Sequence, residues 1–233
     1  MHLPVPNLIV QLVEQHIDIQ AINLFRPKLS PPIQENPELS EGERQLVSDA
    51  LELRSETAFP FWDCLLQVTA NSNIEVGHLF LVAQRHNPQS QSIQRLPRES
   101  IRADVLDTLM SNLTPGEVLA ISSLTECSDK RILHVPMLDF HCQISSINDI
   151  RVKAIAQNLD LRGYIVHSGQ SYHFYGSNLL DTDQLIKLLA KALLFAPFVD
   201  RAWVAHQLIE RACGLRISPG KSYSRPPVVV DQL

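Results

Sequence analysis

The segment Tyr164-Ile165-Val166-His167-Ser168-Gly169-Gln170-Ser171-Tyr172-His173-Phe174-Tyr175 has the pattern of two short β-strands joined by a tight turn. Its two ends are rich in β-branched and aromatic side chains, and serine and glycine between them favour a turn over 168–171. The segment therefore predicts a β-hairpin, and with it a sheet, in the C-terminal half of the chain.

Helices and strands alternate around this hairpin. Helices are predicted over 100–111, 146–161 and 201–212, and a further helix follows the capping residue Asp181. The apolar face of the helix over 146–161 is assigned to Ile150, Val152, Ile155, Ala156 and Leu159. Strands are predicted over 74–83, 118–124, 131–142 and 215–218. The pattern indicates an α+β fold with a mixed sheet covered by helices.

The N-terminal part has a different texture. Apolar residues over 5–25 follow helical spacing, prolines interrupt the chain after residue 26, and Ser40-Glu41-Gly42-Glu43 is a capping box that starts a helix through 54. We predict a helical N-terminal appendage over 1–57, an α/β core over 58–225 and a loose tail over 226–233. The apolar faces of the N-terminal helices either cover the sheet or bind a protein partner.

Composition excludes several classes of protein. The 233 residues are 45% hydrophobic and 19% charged, which is unlike a coiled coil or a disordered chain. A formal net charge of −5 gives no general attraction for nucleic acid, so any phosphate binding must be local. The four isolated cysteines form no zinc knuckle or redox dithiol. Without a membrane-length apolar run or a cationic leader, we expect a cytoplasmic protein with no membrane partner.

Three polar segments could carry chemistry. A period of two puts Asp139 and His141 on one face of a strand, which suits metal binding, or else Asp139 ends the strand and His141 is half-buried. The turn over 168–171, closed by His173, could approach phosphate oxygens, although such turns also occur without ligands. Asp200 lies where a helix begins and could be a plain N-cap. Arg216 and Lys221 supply local positive charge or are solvated surface cations.

Taken in order, these segments resemble the archaeo-eukaryotic primase family over roughly residues 117–225. The matching motifs are Leu138-Asp139-Phe140-His141, then Ser168-Gly169-Gln170-Ser171-Tyr172-His173, then Val199-Asp200 with Leu215-Arg216-Ile217-Ser218. The resemblance implies an RRM-like catalytic core and template-directed transfer of nucleotides from nucleoside triphosphates, with single-stranded nucleic acid as the partner.

The resemblance also implies residue roles. Asp139, His141 and Asp200 would hold Mn²⁺ or Mg²⁺, and Asp139, His173 and Asp200 would be the catalytic residues. The nucleotide would be bound by Ser168, Gly169, Ser171, His173, Arg216 and Lys221.

The sequence departs from the family pattern at His141, which stands where the family has a second aspartate. Imidazole brings no negative charge and suits manganese or zinc better than magnesium. Three hypotheses therefore stay open: a primase-like nucleotidyltransferase, a catalytically weakened module that binds nucleotide or nucleic acid and acts through a partner, and an unrelated α+β interaction protein. A histidine-centred metallohydrolase is disfavoured because no H-E-x-x-H spacing occurs.

Overall fold

The structure is a computed structural model that describes residues 3–27, 33–57, 59–70, 72–84, 93–220 and 225–233. The chain forms two compact units. The sheet unit comprises Met1–Lys28 and Pro88–Leu233, and the helical unit comprises Leu29–Asn87. The segment 1–57, predicted as one helical appendage, is therefore shared between the two units. Its residues up to Lys28 belong to the sheet unit, because a strand in that part pairs with a strand of the core.

The first sheet of the sheet unit contains the predicted hairpin, which is confirmed. Its strands are β1 (Leu3–Pro4), β6 (Met137–Asp139), β7 (Gly163–His167), β8 (Tyr172–Gly176) and β10 (Val228–Gln232). They are ordered β1-β10-β7-β8-β6, and every pair is antiparallel. The predicted loose tail over 226–233 is wrong, because β10 lies between β1 and β7 and buries Val229.

The second sheet is built around one long strand. Its strands are β2 (Ile19–Phe25), β3 (Gln94–Pro97), β4 (Ala120–Cys127), β5 (Ile132–His134) and β9 (Gly214–Arg216). β4 pairs with β2 along one edge and with β5 and β9 along the other, again antiparallel throughout. β3 completes the sheet on the outer side of β2.

The strand predicted over 131–142 is split between the two sheets. The Val135 amide donates to the Ser123 carbonyl in the second sheet, whereas the Pro136 carbonyl accepts from the Gly176 amide in the first. Pro136 has no amide hydrogen with which to continue a ladder, so the chain changes sheets there. This crossing carries the chain from β5 into β6, the strand that ends in Asp139.

In the described part of the sheet unit the α-helices are α1 (Val5–Gln15), α5 (Ala103–Ser111), α6 (Ser146–Asn158), α7 (Thr182–Ala192) and α8 (Arg201–Glu210). The helix predicted over 5–25 ends at Gln15, and the remainder becomes β2. Five of the seven β2 residues are buried, on both sides of the strand, so the apolar residues there reflect two covered faces and not a helical stripe. Asp181 caps α7 with a reciprocal capping box, as predicted.

The helical unit contains α2 (Glu41–Thr57), α3 (Phe61–Thr69) and α4 (Gly77–Ala83). The predicted capping box is present, since the Ser40 amide donates to Glu43 at 2.8 Å and the Glu43 amide donates to the Ser40 hydroxyl at 3.3 Å. The strand predicted over 74–83 is wrong. α4 occupies Gly77–Ala83 of that segment and packs Leu79 and Val82 into the core shared with α2 and α3.

The α+β class is confirmed, but the mixed sheet is corrected. Every strand pair that the structure describes is antiparallel, and the strands form two sheets of five. The RRM-like arrangement stays a prediction. Within the described part of the chain, no helix is long and apolar enough to cross a membrane.

Candidate functional site

Asp139 and His173 face each other across neighbouring strands of the first sheet. The β6–β8 register pairs the two residues directly, and Oδ1 of Asp139 lies 3.6 Å from Nε2 of His173. The His173 side chain is buried, whereas 26% of the Asp139 side chain is exposed. The pair therefore forms a buried imidazole behind a partly accessible carboxyl.

Asp200 is both the N-cap of α8 and a neighbour of this pair. Its Oδ1 accepts from the amides of Ala202 and Trp203 at 2.9 and 3.0 Å, which satisfies the free amides of the first turn. Its own amide donates to the Asp139 carbonyl at 3.0 Å. The N-cap interpretation is thus correct, and the cap also places a second carboxylate beside Asp139.

His141 continues the chain beyond β6 and lies at the outer side of the site. Its amide donates to the Phe198 carbonyl at 2.7 Å, next to an isolated bridge between Phe140 and Val199. Its Nδ1 is 3.9 Å from Oδ2 of Asp200, and half of its side chain is exposed. His141 therefore lies beside Asp200, whose amide is bonded to the Asp139 carbonyl, and the metal-binding role of the three residues stays a prediction.

Burial and neighbouring charge shift the two central pKa values in opposite directions. Burial, reinforced by the negative charge of Asp200, raises the pKa of Asp139 well above its usual range, and Arg216 opposes that shift. Burial, reinforced by the positive charge of Arg216, lowers the pKa of His173 to about 3. His173 is consequently a neutral imidazole at any physiological pH.

The turn over 168–171 is tied to the end of β6. Gly169 has a φ of +128°, a conformation that side chains disfavour, and the Ser168 amide closes the turn on the Ser171 carbonyl at 2.9 Å. The Ser171 hydroxyl donates to the Phe140 carbonyl and accepts from the Cys142 amide. The predicted nucleotide contact of Ser171 thus competes with bonds that its hydroxyl already makes.

Arg216 joins the two sheets at the site. It lies on β9 of the second sheet, and its guanidinium donates to the carbonyls of Ser168 and Ser218. Ser168 belongs to the turn of the first sheet, so one side chain links the turn to β9. Lys221, the other predicted cation, lies outside the described residues.

Tyr175 is a polar residue of the site that the sequence analysis missed. It lies two positions after His173 on β8, so both side chains occupy the same face. Among the described residues, its buried hydroxyl and Nδ1 of His173 have no hydrogen-bond partner. Burial raises the pKa of this hydroxyl; the charge of Arg216 opposes the rise and the charge of Asp139 adds to it. The period of two from His173 could have identified it.

The predicted metal ligands do not form a three-residue set. Within the described residues, no three histidine, cysteine, aspartate or glutamate side chains come together so as to hold a metal ion. Asp139 Oδ1 faces His173, and Asp200 uses Oδ1 for its helix cap and turns Oδ2 toward His141. The carboxylates suit a divalent cation in charge, but their number and arrangement do not fit the site that the resemblance implies.

Comparison with known proteins gives one family. A family model described as archaeo-eukaryotic primase 1D-like matches residues 97–228. Neither the curated proteins nor the solved structures contain a significant match to the chain. The matched range includes Asp139, His173, Asp200 and Arg216.

Proposed function

The chain belongs to the archaeo-eukaryotic primase 1D-like family, and on that premise we propose that it is a primase-type nucleotidyltransferase. Its substrates would be a nucleoside triphosphate and a single-stranded nucleic acid that serves as template. The candidate site around Asp139, His173, Asp200 and Arg216 would receive the triphosphate.

The convergence of these four residues carries the proposal. They come from β6 and β8 of the first sheet, β9 of the second sheet and the start of α8, which are separated along the chain. The Arg216 guanidinium donates to the Ser168 carbonyl in the turn that leads into β8, and its charge opposes the raised pKa of Asp139 and adds to the lowered pKa of His173. Buried polar groups normally find partners, so the unpartnered Nδ1 of His173 and hydroxyl of Tyr175 support a ligand that supplies acceptors.

The protonation states suggest how the anion would be held. A neutral imidazole carries one N–H, and we place it on Nδ1, the ring nitrogen of His173 that has no hydrogen-bond partner among the described residues. Nδ1–H of His173 and the Tyr175 hydroxyl are then both free to donate to a phosphate oxygen. Arg216 would add positive charge from the second sheet.

Two measurements on the full chain test the proposal. The first is primer synthesis or extension on a single-stranded template, in parallel reactions with Mg²⁺, with Mn²⁺ and with EDTA. The second is ATP affinity by calorimetry. We expect product from the wild type and none from Asp139→Ala, and we expect His173→Ala to weaken ATP binding about tenfold or more, as loss of a buried charge-assisted hydrogen bond does.

Asp183→Asn is the matched control. Asp183 is an exposed aspartate in the first turn of α7, and its removal changes the net charge by the same amount as removal of a site aspartate. It should leave both readouts unchanged. Absence of product in both metals, together with ATP binding indifferent to His173→Ala, would refute the proposal.

One observation favours a second candidate, a nucleotide-binding module without transfer activity. The three predicted ligands do not converge on a metal site among the described residues, and His141 stands where a carboxylate is expected. This candidate predicts that ATP binding survives Asp139→Ala, is lost in His173→Ala, and is accompanied by no product. The same two measurements therefore separate it from the first candidate.

A further inference from the structure

An aromatic ring lies directly beside the candidate site and is covered by a cation. The Phe198 carbonyl accepts the His141 amide at 2.7 Å, so Phe198 is held to the residue that faces Asp200. The Phe198 ring is half-buried. The guanidinium carbon of Arg151 stands 5.2 Å from the centre of this ring, which is a cation–π contact.

Arg151 is exposed, yet two contacts hold it in place. Besides covering the Phe198 ring, its guanidinium donates to Oδ1 of Asn148 at 3.1 Å, one turn earlier on α6. An exposed arginine without such contacts samples many rotamers, so this one has already lost part of the entropy that binding would cost. Binding of a ligand to this side chain would therefore cost less conformational entropy than binding to a mobile arginine.

Two exposed apolar side chains lie near Arg151 on α6. Ile147 and Ile150 share the outward face of the helix with Arg151, and their side chains are 53% and 66% exposed. Helical spacing predicts Ile150 on the buried face, but the buried residues of α6 are Val152, Ile155 and Ala156. A flat cation flanked by exposed apolar side chains suits a planar ligand that is apolar on its faces.

We propose that Arg151, stacked on Phe198, forms a nucleobase-stacking subsite next to the candidate site. This inference rests on the proposed function and adds to it the place where a base is held. The base would stack on the outer face of the guanidinium, which is a common platform for unpaired bases. It belongs either to the nucleoside triphosphate or to the single strand, since both present the same chemistry.

Binding measurements with matched ligands identify the subsite. Fluorescence anisotropy compares an oligo-dA strand with an abasic strand of equal length, and calorimetry compares ATP with inorganic tripolyphosphate. In each pair the phosphates are similar and only one ligand carries bases. If the base comes from the strand, Arg151→Ala should weaken oligo-dA binding about fivefold or more and leave abasic binding unchanged. If it comes from the nucleotide, the same loss appears for ATP and not for tripolyphosphate.

Three further variants define the cause. Arg151→Lys keeps the charge but not the planar guanidinium and should lose the preference for bases. Phe198→Leu keeps an apolar side chain but removes the ring and should do the same. Lys153→Ala is the matched control, because Lys153 is a cation on the same helix that pairs with Asp231 at 2.9 Å, away from the ring. It should leave the preference intact. Circular dichroism confirms that each variant is folded.

The outcomes are distinct from those of the proposed function. If Arg151→Ala or Arg151→Lys keeps the wild-type preference for base-bearing ligands while His173→Ala loses ATP, the stacking subsite is refuted and the proposed function stands. If the wild type binds neither ATP nor the strand, both are refuted. If Lys153→Ala loses the preference as strongly as Arg151→Ala, general charge and not stacking explains binding, and the subsite is refuted.

Discussion

Replacing Asp200 by asparagine and by alanine separates its helix-capping role from its charge. Asparagine can accept the amides of Ala202 and Trp203 through the same Oδ1 atom, so it keeps the cap and removes only the negative charge. Alanine removes both. Since Asp200 also lies beside Asp139, the two substitutions should affect stability in different ways.

The expected magnitudes follow from the two hydrogen bonds and the charge. Loss of an N-cap costs about 1 kcal/mol in free energy of unfolding, so Asp200→Ala should be about that much less stable than Asp200→Asn. Loss of the charge removes a favourable interaction with the α8 dipole worth about 0.5 kcal/mol and relieves the repulsion on Asp139. These two effects oppose each other, so Asp200→Asn should stay within about 0.5 kcal/mol of the wild type at pH 7.

The pH dependence provides a second signature. The folded pKa of Asp139 is raised, so its contribution to stability is complete below the unfolded value of about 3.9 and is lost as the pH rises through the folded value. Asp200→Asn removes one of the two causes of that shift, and burial remains. The fall in stability between about pH 4 and pH 7 should therefore be smaller in Asp200→Asn than in the wild type.

Urea unfolding followed by circular dichroism at both pH values measures these differences, and thermal midpoints with and without Mn²⁺ add a test of ligand binding. A ligand that binds only the folded state raises its stability by about 2.7 kcal/mol at a hundredfold excess over its dissociation constant. If Asp200 also helps to hold a cation, Mn²⁺ should raise the midpoint of the wild type and of neither variant. Equal destabilisation of Asp200→Asn and Asp200→Ala would refute the capping argument, and an unchanged pH dependence would refute the electrostatic one.

Three more predictions test the fold and the electrostatics of the site. Gly163→Ala should destabilise the chain by more than about 3 kcal/mol in urea unfolding, because φ is +154° and the added Cβ would lie 2.1 Å from the Tyr175 carbonyl oxygen. The imidazole of His173, with its pKa near 3, should show no titration between about pH 5 and 8 by nuclear magnetic resonance, and a midpoint near 6.5 would contradict its burial. Deletion of residues 226–233 should abolish cooperative unfolding of the sheet unit, since it removes β10 from between β1 and β7, and a truncated chain of unchanged stability would contradict this topology.

Local signals were sufficient for the elements whose partners are close in sequence. The hairpin over 164–175 and the capped helix after Asp181 satisfy their backbone groups with neighbouring residues, so composition and spacing identify them. The strands over residues 19–25 and 228–232 pair with strands that are distant in the sequence. The burial of β2 on both faces is a tertiary property that a helical period does not encode. The run Val228-Val229-Val230 is a β-prone signal in the sequence itself, but its place between β1 and β7 is not encoded locally.

The sequence identified most residues of the candidate site, but not the contacts that bring them near one another. Strand periodicity and motif order identified Asp139, His141 and His173; in the structure Asp139 pairs with His173 across β6 and β8, and His141 lies near Asp200. The position of Asp200 beside Asp139 depends on the bridge between Phe140 and Val199, which joins segments about sixty residues apart and leaves no trace in local spacing. The position of the Phe198 ring near the candidate site depends on the same bridge, because Phe198 directly precedes Val199.

Arg216 of the candidate site also connects the two sheets, so ligand binding at the site would be coupled to the stability of the fold. Arg216 donates to the Ser168 carbonyl of the first sheet while β9 pairs with β4 of the second. Its charge at once lowers the pKa of His173 and moderates that of Asp139. A displacement of one sheet relative to the other would move the guanidinium and change both protonation equilibria together. An anion bound to His173 and Tyr175 would lie against the same guanidinium and should stabilise the contact between the sheets. Anion binding should therefore raise the free energy of unfolding, which makes binding measurable in an unfolding experiment.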